Sequence, residues 1–85
     1  MAYFTQPQAT ARIMEVIRKY RADQGVGIET LTTKITELNP DFPCTYFQYR
    51  AMESGQTKDV PVHVVLSAAV FLGIPAHEIF PELDS

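Results

Sequence analysis

Between Thr45 and Lys58 the chain gathers side chains suited to holding another molecule: Thr45, Tyr46, Phe47, Gln48, Arg50, Ser54, Thr57 and Lys58. Their chemistry is hydrogen bonding, stacking and ionic contact, supplied by a planar guanidinium fork, an amide, three hydroxyls, two adjacent aromatic rings and an ammonium. Covalent chemistry is poorly served. Cys44 has no adjacent histidine or cysteine and reads as a loop or core thiol. His63 and His77 are too few and too far apart for a metal-ligand pattern. Ser54, Ser67 and Ser85 lack the motif context of a nucleophile, and a small helical chain has little room for a substrate pocket. No cofactor, no metal and no enzymatic activity is expected.

A helix must present the Thr45 cluster, and the residues announce it. Thr45-Tyr46-Phe47-Gln48 fits the capping box, in which threonine oxygen and glutamine amide each satisfy the other's free backbone donor. This predicts a helix over residues 45–54, stopped by Gly55. Upstream, Ala9, Ile13, Val16, Ile17 and Tyr20 form one apolar stripe of a helix over residues 8–23, with Arg12, Glu15, Arg18 and Lys19 on the wet side. Thr5 is placed to cap it, Pro7 is tolerated in its first turn, and Gly25 and Gly27 end it. Ile28, Leu31, Ile35 and Leu38 predict a helix over residues 28–38, after which Asn39-Pro40-Asp41-Phe42-Pro43 breaks the chain. Residues 62–72 are ambiguous, since Val60 to Val65 has strand-like composition. The length of the apolar run, its start after Pro61 and its end at Gly73 decide for a helix. Residues 76–80 make a last helical turn. The class expected is all-α, with five helices around Ile13, Ile17, Leu31, Ile35, Tyr49, Met52, Leu66, Ala69 and Leu72; a strand at Val60 to Val65 would contradict it.

Length and charge bound what such a bundle does. A chain of 85 residues buries only about 60 to 65% of its unfolded surface, so residues 1–85 are read as a single domain with a small core. A hydrophobic content of 46% supports a packed domain rather than disorder. No apolar run spans a bilayer and no signal-peptide pattern opens the chain, so a reducing cytoplasm is expected. The net charge of −3 argues against strong attraction to phosphates, but its distribution is uneven. Residues 1–58 hold all seven basic residues against six acids, a net charge of +1, whereas residues 59–85 hold four acids and no base. One face is thereby left usable for an anionic partner.

From Ile17 to Phe80 the chain resembles the lambda repressor-like helix-turn-helix domain of the Cro and phage repressor class. The resemblance rests on Ile17-Arg18 and Arg21, on Gly25 to Ile35, on Thr45 to Gly55, and on Leu72-Gly73-Ile74-Pro75 with Ile79-Phe80. In that family the third helix carries a capping Ser or Thr, an apolar residue four positions on, another three later, then Glu-x-Gly; Thr45, Tyr49, Met52, Glu53 and Gly55 stand in those places. Two features depart from the pattern. The connection at residues 36–44 is longer than the usual tight turn and holds two prolines, as in a minority of such regulators, including actinobacterial ones. Ile28 stands where many relatives have a glutamine that braces a phosphate and a base, so that contact is not carried over.

The resemblance implies a five-helix helix-turn-helix domain that acts as a transcriptional regulator, of phage or bacterial repressor type, on double-stranded DNA. With Tyr49 and Met52 facing the core, Tyr46, Phe47, Arg50, Ala51 and Ser54 project outward, and the residues early in the helix enter the major groove. Arg50 then suits guanine O6 and N7, Gln48 suits adenine if turned outward, and an aromatic ring or Ala51 suits a thymine methyl. Thr45, Thr57, Lys58 and Lys34 are phosphate partners. Each has a plainer role: Tyr46 or Phe47 packing against Phe42, Arg50 pairing with Glu53 at the surface. Relatives commonly pair through the last helix, so a homodimer through Phe71, Ile74, Ile79, Phe80 and Leu83 is expected, on the ground that the small core cannot cover them all. Such a protein would be cytoplasmic and nucleoid-associated. The alternative is a helix-turn-helix relative turned protein-interaction module, such as an antirepressor or antitoxin-like partner, with Tyr46, Phe47 and Tyr49 as an interface cluster.

Overall fold

The computed structural model describes residues 3–57 and 59–80, and in chain order they form β1 (Tyr3–Phe4), α1 (Pro7–Asp23), α2 (Ile28–Leu38), α3 (Tyr46–Glu53), β2 (Val60–Pro61), α4 (Val62–Leu72) and α5 (Ala76–Ile79). The protein is mostly helical with a short two-stranded sheet. β1 and β2 pair antiparallel, Tyr3 opposite Pro61 and Phe4 opposite Val60. This corrects the all-α expectation: the β-type composition after residue 59 is expressed, but only for two residues. Pro61 has no N–H to extend the ladder, and its φ of −62° sets up the helix that starts at Val62. The valines that follow are helical because burial outweighs their propensity, with Val64 and Val65 inside the core.

α1 starts one residue earlier than expected, with Pro7 in the first position, where a missing N–H leaves no bond unmade. Thr5 is not its cap. Gln6 holds that place and gives no side-chain bond to the turn, so Thr5 lies one residue too far out. The stripe of α1 is also rotated from the predicted one. Thr10, Ile13, Met14 and Ile17 are buried, while Ala9, Val16 and Tyr20 are half-buried. Thr10 is satisfied locally, its hydroxyl donating to the Pro7 carbonyl at 3.0 Å.

The core joins Ile13, Met14 and Ile17 to Leu31 and Ile35 of α2, Tyr49 and Met52 of α3, and Val64, Val65, Ala68 and Leu72 of α4, closed by Cys44, Val60, Ile74 and Ile79. Two expected members differ. Leu66 is 50% exposed and Ala69 only half-buried. Ala68 and Leu72 follow Val64 at four-residue steps along the inner side, and Leu66, two residues from Val64, falls about 200° away. α4 is apolar almost all round, so its sequence could not say which side turns inward.

Leu31→Ala should therefore cost about 2 to 5 kcal/mol in urea unfolding, whereas Leu66→Ala should stay within about 0.5 kcal/mol. Equal losses would show that Leu66 belongs to the core.

Candidate functional site

α3 has eight residues, too few to be helical alone, and is held from three directions. At its start the capping box closes: Gln48 N donates to Thr45 Oγ1 at 3.2 Å and Thr45 N donates to Gln48 Oε1 at 3.1 Å. Along its inner side, Tyr49 and Met52 are buried. At its end Arg21 of α1 grips Glu53 with two parallel bonds, Nε to Oε2 at 3.1 Å and Nη2 to Oε1 at 2.9 Å, and its Nη1 donates to the Val26 carbonyl at 3.0 Å. The two side chains are 17% and 8% exposed, so this is a largely desolvated pair with bidentate geometry. Gly55, at φ +82°, then folds the chain back, and Gln56 N donates to the Ala51 carbonyl at 2.9 Å.

These supports leave the opposite side of α3 to solvent. Phe47 is 76% exposed and packs edge-on against Tyr46, ring centres 5.3 Å apart at 84°. Arg50 and Ser54 follow on the same side, and with Phe47, Ala51 and Gln56 they line a shallow hollow of about 460 Å³. Arg50 is exposed and makes no ion pair among the described residues, because Glu53 is engaged by Arg21. The outer side of α3 thus carries a free guanidinium and no acid.

Of the residues named from sequence, the structure gathers Phe47, Arg50, Ala51 and Ser54 in this hollow. Tyr46 joins them through its ring contact with Phe47. Gln48 is exposed, but its amide oxygen is committed to the Thr45 N–H. The adenine contact is expected only if this side chain turns outward, and here its oxygen turns back to the cap. Thr45 is exposed, and its oxygen accepts the cap bond. Lys34 is paired with Glu37 at 3.3 Å, and Thr57 lines a different groove, with Met14 and Val60. Lys58 lies outside the described residues. Gln56 was not foreseen; the glycine at residue 55 was its signal, since a left-handed residue after a helix turns the next side chain back over the last turn.

The connection between α2 and α3 is fixed by two polar side chains. Thr36 accepts from the Cys44 N–H at 3.1 Å and donates to the Cys44 carbonyl at 3.3 Å. Asn39 donates to the Ile35 carbonyl at 3.1 Å and to the Ser67 hydroxyl on α4. Burial pushes the Cys44 thiol up to about 11, so it is protonated and unreactive at neutral pH. Burial also raises Tyr49, with the nearby Glu53 carboxylate acting in the same direction, although its hydroxyl has no partner of hydrogen-bonding geometry. No three His, Cys, Asp or Glu side chains come together as a metal set among the described residues.

The expected pairing surface is corrected in part. Ile74 and Ile79 are interior, because α5 folds back under α1, where Arg12 Nη2 donates to the Ile79 carbonyl at 3.0 Å. Phe71 and Phe80 are half-buried against the core, Phe80 lying 5.7 Å from the Phe4 ring. Leu83 lies outside the described residues. Large apolar side chains left in solvent among the described residues include Leu66 and Val70 of α4, 50% and 73% exposed, beside Leu38, Phe42 and Phe47 elsewhere. Among the described residues no helix is long and apolar enough to cross a membrane.

Removing the acid at the end of α3 should strand a desolvated guanidinium, so Glu53→Ala should lose about 3 kcal/mol in urea unfolding. A loss below about 1 kcal/mol would mean that Arg21 is not held by this pair.

No family model matches the chain, and neither does any curated protein or solved structure, so the site's own geometry carries its functional reading.

Proposed function

We propose that the protein is a sequence-specific DNA-binding transcriptional regulator, a five-helix lambda repressor-like helix-turn-helix domain of phage or bacterial repressor type that lays α3 in the major groove. It is not an enzyme on this reading, and it works in the cytoplasm on the nucleoid. The observation that carries the reading is the free Arg50 on the exposed side of a helix whose acid is turned inward. An exposed arginine clear of carboxylates keeps its donor fork for guanine O6 and N7.

A second reading is favoured by a different observation. Phe47 is the most exposed large apolar residue described, and among the described residues the outer side of α3 carries a single cation, Arg50. That combination also suits a protein partner such as an antirepressor's or antitoxin's target. A DNA-selection assay at low and moderate salt separates the two. Enrichment of a palindrome supports the regulator, and Arg50→Ala should then weaken binding to it by about 1 to 3 kcal/mol and relax preference at one base pair. Recovery of no sequence at either salt would remove the DNA reading.

A single copy with so little positive charge needs a second, which doubles the phosphate contacts and links two half-sites. We place the pairing surface on the outer side of α4, at Leu66 and Val70. α4 has no charged side chain in eleven residues, so two copies of a chain at net −3 meet there without like charges in contact. Val70→Asp should yield a monomer in sedimentation that keeps its fold and loses specific binding. An unchanged sedimentation coefficient between wild type and Val70→Asp would refute this surface.

A further inference from the structure

Resting on the DNA-binding reading, we infer that Phe47 reads the 5-methyl group of a pyrimidine in the major groove, in the half-site whose guanine Arg50 takes. A phenyl ring has neither donor nor acceptor. The major-groove edges of the four bases offer donors, acceptors and a single apolar feature, the methyl at C5 of thymine, which 5-methylcytosine shares. Phe47 stands in the first turn of α3, the part of a recognition helix that reaches base edges. At 76% exposure it contributes little to the core, and its ring meets that of Tyr46 edge-on, at 84°. Ala51 leaves room beside it, in the hollow that the ring shares with Arg50.

Arg50 is three residues after Phe47, about 4.5 Å further along the helix axis and on the same side of α3. The two side chains therefore reach into the same short stretch of base pairs. Of the other first-turn side chains, Tyr46 is less exposed, at 39%, and the Gln48 amide oxygen is bonded to the Thr45 N–H. The half-site then contains a methyl-bearing pyrimidine as well as a guanine, and hydrophobic contact distinguishes it.

Burying one methyl group is worth about 0.8 kcal/mol, which is about fourfold in affinity. The test starts from the DNA that the selection assay recovers. Each thymine is replaced by deoxyuridine, and each cytosine by 5-methylcytosine, in separate duplexes titrated with wild type and with Phe47→Ala. Wild type should lose about fourfold at one thymine of each half-site, the same half-site that holds the guanine whose preference Arg50→Ala relaxes, and Phe47→Ala should bind the uracil and thymine duplexes alike. A gain of similar size on cytosine methylation, also lost in Phe47→Ala, would make 5-methylcytosine the source of the same methyl. The thermal melting of Phe47→Ala should match that of wild type, as the ring is exposed; if its DNA binding is too weak to measure, Phe47→Leu is read instead and should keep part of the methyl response. Specific binding that is indifferent to every methyl, or a methyl response that survives in Phe47→Ala, would overturn the inference and leave the regulator intact. Absence of any selected sequence would overturn both.

Discussion

The guanidinium of Arg21 bonds at once to the Glu53 carboxylate and the Val26 carbonyl, and so ties the end of α1 to the turn that follows it and to the end of α3. Each group is mostly removed from water, and a lone charge there would be costly. The pair tolerates desolvation because both carboxylate oxygens and three guanidinium nitrogens find partners. Its effect reaches beyond stability. An eight-residue helix has little helicity of its own, so the direction in which α3 points is set at its two ends, by the capping box and by this pair. Turning Glu53 inward also takes from Arg50 the acid nearest in sequence on the same helix, and the outer surface becomes chemically open.

The same economy of polar groups governs the connection before α3. Two prolines at residues 40 and 43 prevent it from being helical, and a loop of this kind would ordinarily leave backbone groups unmet next to the core. One hydroxyl, that of Thr36, satisfies both the N–H and the carbonyl of Cys44, and the Asn39 amide joins the end of α2 to Ser67 in the middle of α4. Phe42 lies over His63 with ring centres 5.5 Å apart. The loop is long, but these bonds tie both of its ends to α2 and α4. The threonines of α2 that lower helix propensity thus have a use: Thr32 and Thr33 bond back to the Glu29 carbonyl, and Thr36 holds the neighbouring loop.

Charge is distributed so that few cations remain for a partner. Arg18 is paired with Glu15, Arg21 with Glu53 and Lys34 with Glu37, while Arg12 caps the end of α5. A surface of this kind draws polyanions weakly. The exposed Phe47 and the uncharged α4 belong to the same balance, since both offer contact by shape and apolar area where long-range attraction is small.

The sequence by itself determined the helices and most of their ends. Periodic apolar residues, the Thr45 capping box and the glycines at residues 55 and 73 act within a few residues, and local geometry is enough to read them. The exposed row Tyr46, Phe47, Arg50 and Ser54 followed from Tyr49 and Met52 being inside, again a matter of helical spacing. Only the tertiary structure decided which side of α4 is buried, because a helix that is apolar all round carries no directional signal. It alone showed that Ile74 and Ile79 complete the core rather than face a partner, that two residues pair as strands with the chain's beginning, and that Glu53 belongs to Arg21 and Gln48 to its own cap. Each of these depends on a choice among several chemically equivalent partners, and what makes the choice is distance in the folded chain, which spacing along the sequence does not encode.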